Sequence, residues 1–224
     1  MYKMRHKTSS KQRKHRKLTH RKLTRRKHRR NGGNNSNAVK ELTFISGNQG
    51  KISELSAILA PIKVLSTDID LPEIQTTDVE EVVKEKVMTA WNEVRKPLFV
   101  EDTGLYITSP PMNGFPGALI KFYFKKLGVD GISEKNGGND AYAESVIGYH
   151  DGEKVHMFKG IVKGKIADQP KEGNYGFGWD SIFIPTEDNP EELSFAQMPA
   201  EKKNMVSMRK RAAEAFKSYL TNTN

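Results

Sequence analysis

Apolar residues recur along this chain in short blocks whose period switches between two and about three and a half. Leu42-Thr-Phe-Ile-Ser46 is a β-prone run closed by Gly47-Asn48, and behind it Ile52, Leu55, Ile58 and Leu59 share one face of a helix. Pro61 ends that helix and Ile62-Lys-Val-Leu65 reads as a second strand. Asp78 is placed to cap a long helix, in which Val79, Val82, Val83, Val87, Ala90, Trp91 and Val94 repeat at three-to-four spacing. Pro97 ends it, and Leu98-Phe-Val100 is a strand that delivers Glu101-Asp102 at its end.

Beyond a Pro/Gly loop, residues 118–127 read as a helix, followed by a small helical element near 129–135. Residues 141–149 and 154–166 read as two strands joined by a turn at Asp151-Gly152, a hairpin pattern. Gly173, Gly176 and Gly178 lead into a strand at Ile182-Phe-Ile184, and a last helix carries Ala212, Ala215, Phe216, Tyr219 and Leu220 as its apolar stripe. Strands alternating with helices, plus one hairpin, predict an α/β fold on a mixed sheet.

Charge divides the chain. Residues 1–37 hold fifteen Lys and Arg and no Asp or Glu, whereas the remainder carries 22 basic against 27 acidic residues. The basic segment repeats every five residues (His15-Arg-Lys-Leu-Thr19, His20-Arg-Lys-Leu-Thr24) and passes into Asn31-Gly-Gly-Asn-Asn-Ser-Asn37. A period of five suits neither helix nor strand, so 1–37 is expected to be a disordered tail and linker, and 38–224 the folded domain. The tail is either a solvated extension or an arm that binds nucleic acid or another polyanion without sequence specificity. A mitochondrial-type targeting peptide would need more apolar content. There is no cysteine, and only His150 and His156 fall outside the tail, which disfavours zinc fingers, thiol nucleophiles and a Ser-His-Asp triad. No apolar run approaches the ~20 residues of a membrane span. The expectation is a soluble cytoplasmic protein, with a nuclear location also compatible with the tail.

Four segments carry candidate chemistry. Ser46-Gly47-Asn48-Gln-Gly-Lys51 lies at a strand-to-helix junction, where backbone N–H groups and a lysine suit phosphate; it is not a Walker loop, and an ordinary tight turn is the alternative. Glu101-Asp102, with Glu73, would suit Mg²⁺, which takes one or two carboxylates and fills its other positions with phosphate and water; otherwise these are surface acids. Gly176-Phe177-Gly178-Trp179-Asp180 could lay a ring against a nucleobase and offer Asp180 as an acceptor, or simply contribute core. Lys202, Lys203, Ser207, Arg209, Lys210 and Arg211 precede or enter the last helix; Ser207 could cap it, and solvent exposure would account for the charges. Together the four describe a nucleotide site.

In this order and spacing, Ser46-Gly-Asn-x-x-Lys51, Leu71-Pro-Glu73, Val100-Glu-Asp-Thr103, Phe115-Pro-Gly117 with Ile120-Lys121, Phe177-Gly-Trp-Asp180, Lys203-Asn204 and Ser207-x-Arg209-x-Arg211 resemble the inosine triphosphate pyrophosphatase family, from about Leu42 to Leu220. The resemblance implies an elongated two-lobed α/β fold with a central mixed sheet, flanking helices and a site in the cleft between the lobes. It also implies a homodimer and Mg²⁺-dependent hydrolysis of ITP, dITP and XTP to the monophosphate and pyrophosphate, clearing them from the nucleotide pool. By the same resemblance Lys51 and the Ser46, Gly47, Asn48 loop would hold the triphosphate beside Thr103. Glu73 and Asp102 would bind the metal with Glu101 beside them, and Asp102 and Lys51 would act in catalysis. Phe177 would stack on the base, Gly178, Trp179 and Asp180 would line its pocket, and Lys203, Ser207 and Arg209 would contact it. One departure concerns the base: the family has His between Ser207 and Arg209, where this chain has Met208, a thioether that packs but makes no comparable hydrogen bond. The alternatives are a nucleotide- or nucleic-acid-binding protein that has lost catalysis, and a pyrophosphatase of different base preference.

Overall fold

A computed structural model describes residues 39–222. The expectations for the basic tail and linker at 1–37 lie outside these residues. The elements run β1 (Glu41–Ile45), α1 (Gln49–Leu59), β2 (Lys63–Thr67), α2 (Val79–Val94), β3 (Leu98–Ile107), β4 (Pro116–Gly117), α3 (Ile120–Asn136), β5 (Asp140–His150), β6 (Val155–Ile166), β7 (Phe183–Pro185), α4 (Ala200–Val206) and α5 (Met208–Asn222). One sheet of order β2-β1-β3-β5-β6-β7, with β4 beside β3, is mixed as expected: β1 pairs parallel with β2 and β3, and all other pairs are antiparallel. Among the described residues no helix is long and apolar enough to cross a membrane.

The helices follow their apolar periodicity. Leu55 and Leu59 of α1 are fully buried, and α2 buries Val79, Val82, Val83, Val87 and Ala90 behind an Asp78 cap that accepts the Glu80 N–H at 2.7 Å. The two helical stretches expected at 118–127 and 129–135 form one element broken at Gly128, whose φ of 68° is closed to a regular helix. In α5 the stripe differs by one position: Ala213 is buried beside Ala212 and Phe216, while Ala215 faces solvent. Alanine is small enough to suit either side of a helix, so its spacing carries little information.

Side chains of β3 divide the core by strand alternation. Phe99 packs with α1 and α5 residues (Leu55, Leu59, Ala212, Phe216) on one face, and Leu98 and Val100 pack with α2 residues (Val79, Val83, Val87) on the other. A third cluster gathers the far halves of β3 and β5 with α3, Phe183 and Phe195.

The largest difference from expectation is the length of β3. Glu101-Asp102 was expected at a strand end but lies inside a ten-residue strand, because Thr103 to Ile107 continue the ladder with β5 (Thr103↔Ser145 to Ile107↔Ala141). On its other edge β3 changes partner. Pairing to β1 ends at Phe44↔Phe99 and pairing to β4 begins at Leu105↔Gly117, which leaves the acidic pair on an unpaired stretch just beyond the carboxyl end of β1. Open α/β sheets bind ligands where strands part in this way.

Candidate active site

The gap in the β3 edge opens into a cavity of about 450 Å³, within the size range of small-molecule sites. Ser46, Gly47, Asn48 and Lys51 line it from one side; Glu73, Glu101, Asp102 and Thr103 form its floor and rim. Phe177, Gly178, Trp179, Asp180, Met208 and Arg209 close the other end. Lys203 and Ser207 lie behind this lining, and both are buried.

The β1–α1 junction is built by its own polar side chains. Ser46 Oγ accepts the Asn48 N–H (3.2 Å), and Asn48 Oδ1 caps α1 by accepting the Lys51 N–H (3.1 Å). A Cβ on Gly47 would lie 2.5 Å from an Asp68 side-chain oxygen, so a larger residue there would displace that carboxylate. From the first turn of α1, Lys51 Nζ reaches into the β3 gap. It lies 3.0 Å from Glu101 Oε2 and 3.3 Å from both Asp102 Oδ1 and the Glu101 carbonyl.

Strand alternation sends the two neighbouring acids to opposite faces. Glu101 turns toward α1 and α5. Its Oε1 accepts from Ser145 Oγ (2.6 Å), Thr103 Oγ1 (2.8 Å) and Arg209 Nε (3.1 Å), while its Oε2 makes no well-aligned hydrogen bond and faces Lys51 alone. Its side chain has no exposed surface. Asp102 turns toward α2, where Lys86 Nζ sits 2.6 Å from Asp102 Oδ2 and 2.6 Å from Glu73 Oε1. Burial favours the neutral acid at both positions, and the adjacent cations outweigh it. Arg209 and Lys51 hold Glu101 at about 2, and Lys51 and Lys86 hold Asp102 well below the usual carboxylate range.

At the far end of the cavity, Arg209 is 2% exposed and each of its three nitrogens is engaged: Nε with Glu101, one terminal nitrogen with Glu54 and the other with Thr103 Oγ1 (3.1 Å). Lys203 Nζ bridges Glu54 (2.8 Å) and Asp180 (2.7 Å). Asp180 also accepts the Phe177 N–H (2.8 Å), so it is an internal clamp on the aromatic loop. Phe177 is 37% exposed, with Lys203 Nζ 4.9 Å and Arg209 Cζ 5.7 Å from its ring centre. Gly50 leaves room for the ring, since a Cβ there would lie 2.7 Å from it. Trp179 packs edge-on to Phe183, 5.9 Å away, as part of the core. Met208 is 2% exposed and belongs to the same apolar cluster.

Solvent exposure therefore does not account for Lys203 and Arg209. It does account for Lys202, Lys210 and Arg211, which pair near the surface with Glu191, Glu214 and Glu187. Ser207 Oγ accepts the Lys210 N–H at 3.2 Å, so the expected cap of α5 is present. Sequence reasoning missed Glu54, Lys86 and Ser145. Glu54 lies one helical turn beyond Lys51, and Lys86 stands within the apolar stripe of α2 at three- and four-residue spacing from Val83, Val82 and Ala90; both positions are signals of a non-solvent role. Ser145 carries no such signal.

Glu101 contributes one part of the acid dependence of stability, beside Asp102 and Asp151, whose carboxyls are also depressed by their partners. Because the folded pKa of Glu101 is depressed, its contribution is fully present above the unfolded value near 4.5 and is lost as pH falls toward 2. Urea unfolding of the wild type should show stability falling steeply through that window, and Glu101→Gln should flatten the fall. An unchanged slope in the variant would remove Glu101 as one of its sources.

The site can be compared with known proteins. A family model described as the Ham1 family matches residues 42–219. The inosine triphosphate pyrophosphatase of Kluyveromyces lactis is 38% identical over 195 residues, covering 82% of this chain and 97% of that protein. The dITP/XTP pyrophosphatase of Pyrococcus horikoshii is 36% identical over 185 residues, covering 80% and 96%. Among solved structures, the Ham1 protein of Staphylococcus aureus superposes with a TM-score of 0.63 at 27% identity, covering 83% of this chain and all of that one. With the family model matching residues 42–219 and relatives 36–38% identical over about four-fifths of its length, this chain belongs to the Ham1 family.

Proposed function

We propose that this protein hydrolyses non-standard purine nucleoside triphosphates, ITP, dITP and XTP, to the monophosphate and pyrophosphate, with Mg²⁺ as the metal. The observation that carries the reading is one cavity floored by Lys51, Asp102 and Lys86 and closed by Phe177 and Arg209, in a chain whose relatives are named for this activity.

Among the described residues, no three His, Cys, Asp or Glu side chains converge as a ready-made metal cage. The donor set still fits Mg²⁺, which typically takes one or two carboxylates and leaves its other positions to phosphate and water. Glu73 and Asp102 would hold it, since both already grip one cation at 2.6 Å. Glu101, whose oxygens are committed to Arg209, Ser145, Thr103 and Lys51, is assigned as an anchor instead. When bound, the metal would neutralise charge on the pyrophosphate leaving group.

The chain's own residues supply the rest. The α1 N-terminus and Lys51 bind phosphate oxygens, and Lys51 stabilises the charge that gathers on the leaving group. Asp102 orients the attacking water by accepting its hydrogen bond. Phe177 stacks on the base. Three of the five guanidinium donors of Arg209 are committed, and the remaining pair is available to a 6-keto oxygen. An adenine amino group there would face a donor, and such a mismatch costs about 1–3 kcal/mol. Met208 adds apolar surface only, so discrimination among bases rests on the cations. Homodimerisation, and a polyanion-binding arm at residues 1–37, belong to the same proposal on the family resemblance and on charge.

Product analysis with Mg²⁺ should give pyrophosphate and monophosphate, with ITP and XTP turned over at least about tenfold faster than ATP. No turnover by folded protein would instead favour a binding role. Deleting residues 1–37 should leave turnover within about twofold while abolishing salt-sensitive binding to single-stranded nucleic acid. Loss of turnover in the truncated protein would make the tail part of the site.

A further inference from the structure

Lys86 has a role that phosphate binding alone does not require. Its ammonium is held symmetrically, 2.6 Å from Glu73 Oε1 on the β2–α2 loop and 2.6 Å from Asp102 Oδ2 on β3, and its side chain is only 13% exposed. Two carboxylates from separate elements gripping one positive charge make a cation site, and here the cation is a side chain. We propose that Lys86 is the resident counter-ion of this site, and that a divalent metal displaces it only together with a triphosphate that accepts the ammonium. The inference rests on the metal and triphosphate reading above and adds the order in which they bind.

Neighbouring lysines cannot substitute for it. Lys51 takes the other oxygen of Asp102 and is tied to Glu101, away from Glu73. Lys121 approaches Glu73 Oε2 at 3.7 Å, but its side chain is 74% exposed and water screens it. Magnesium requires oxygen ligands at about 2.0–2.1 Å, so no second cation fits between Glu73 and Asp102 while the ammonium is there. Metal arriving alone must therefore evict a lysine that has no other carboxylate partner in the site. A bare triphosphate meets the converse difficulty, because the cavity is lined by six carboxylates against four cations. Together the two ligands resolve both problems: the metal replaces the ammonium at the carboxylates, and the phosphates receive the ammonium. Their binding is then mutually reinforcing.

Calorimetric titration of Mg²⁺, alone and with a non-cleavable α,β-methylene analogue of ITP, tests this on wild type, Lys86→Met and Lys121→Met. Wild type should bind Mg²⁺ weakly alone and at least about tenfold more tightly with the analogue. Lys86→Met should bind Mg²⁺ alone at least about tenfold more tightly than wild type, with most of the coupling to the analogue lost. Lys121→Met, which removes the same charge beside the same carboxylate, should stay within about threefold of wild type. Folded Lys86→Met that binds Mg²⁺ no more tightly than wild type overturns the proposal, and so does equal tightening in Lys121→Met, which would reduce the effect to general charge. If wild type binds no Mg²⁺ even with the analogue, the metal reading of the site itself fails, an outcome distinct from the other two.

Discussion

Glu101 is a carboxylate with no exposed side-chain surface, and it joins three parts of the molecule: Lys51 of α1, Ser145 of β5 and Arg209 of α5. A buried charge of this kind persists only when it is paired and hydrogen-bonded, and removing one partner typically costs about 3–5 kcal/mol. Each of its partners in turn has a place in the cavity. Lys51 is drawn into the β3 gap, and Arg209 is held beside Phe177 with Glu54 completing its grip. Fixing one glutamate thereby fixes side chains at both ends of the cavity.

The neighbouring Asp102 does different work because a β-strand alternates. One residue along β3 moves the carboxylate from the α1/α5 face to the α2 face, where Lys86 and Glu73 wait at a partly open rim. Two adjacent acids would repel strongly on one face; on opposite faces Glu101 gains Arg209 and Asp102 gains Lys86, and the two share Lys51. The sheet makes this possible by exchanging β1 for β4 as the neighbour of β3, leaving the edge at the acidic pair without a strand. The site is consequently a hole in a hydrogen-bonded ladder, filled by lysine ammonium groups.

Much of this was legible in the sequence. The apolar periodicity of α1 and α2, the Asp78 cap and the Asp151-Gly152 turn all reflect local physics, so each element formed where its pattern indicated. The motifs around Lys51, Asp102 and Phe177 were visible because each concentrates unusual residues in a few positions. What could not be read locally was partnership. Glu54 stands one helical turn from Lys51, but nothing local names its partners Lys203 and Arg209, about 150 positions away. The length of β3 was misjudged for the same reason: Glu101-Asp102 breaks the apolar run, and only the ladder to β5 and the buried cations make charged residues tolerable inside the strand.

Glu101 holds the site together, and the role proposed for Asp102 is in the reaction. The most direct measurement pairs Glu101→Gln with Asp102→Asn, recording unfolding free energy at neutral pH and ITP turnover for each. Glu101→Gln should lose about 3 kcal/mol or more of stability. Asp102→Asn should lose less, since its side chain is about one-fifth exposed and Lys51 and Lys86 keep Glu101 and Glu73 as partners, yet kcat should fall at least about 100-fold. Equal stability losses in the two variants, or an Asp102→Asn enzyme that retains turnover within a few-fold, would contradict this division of roles.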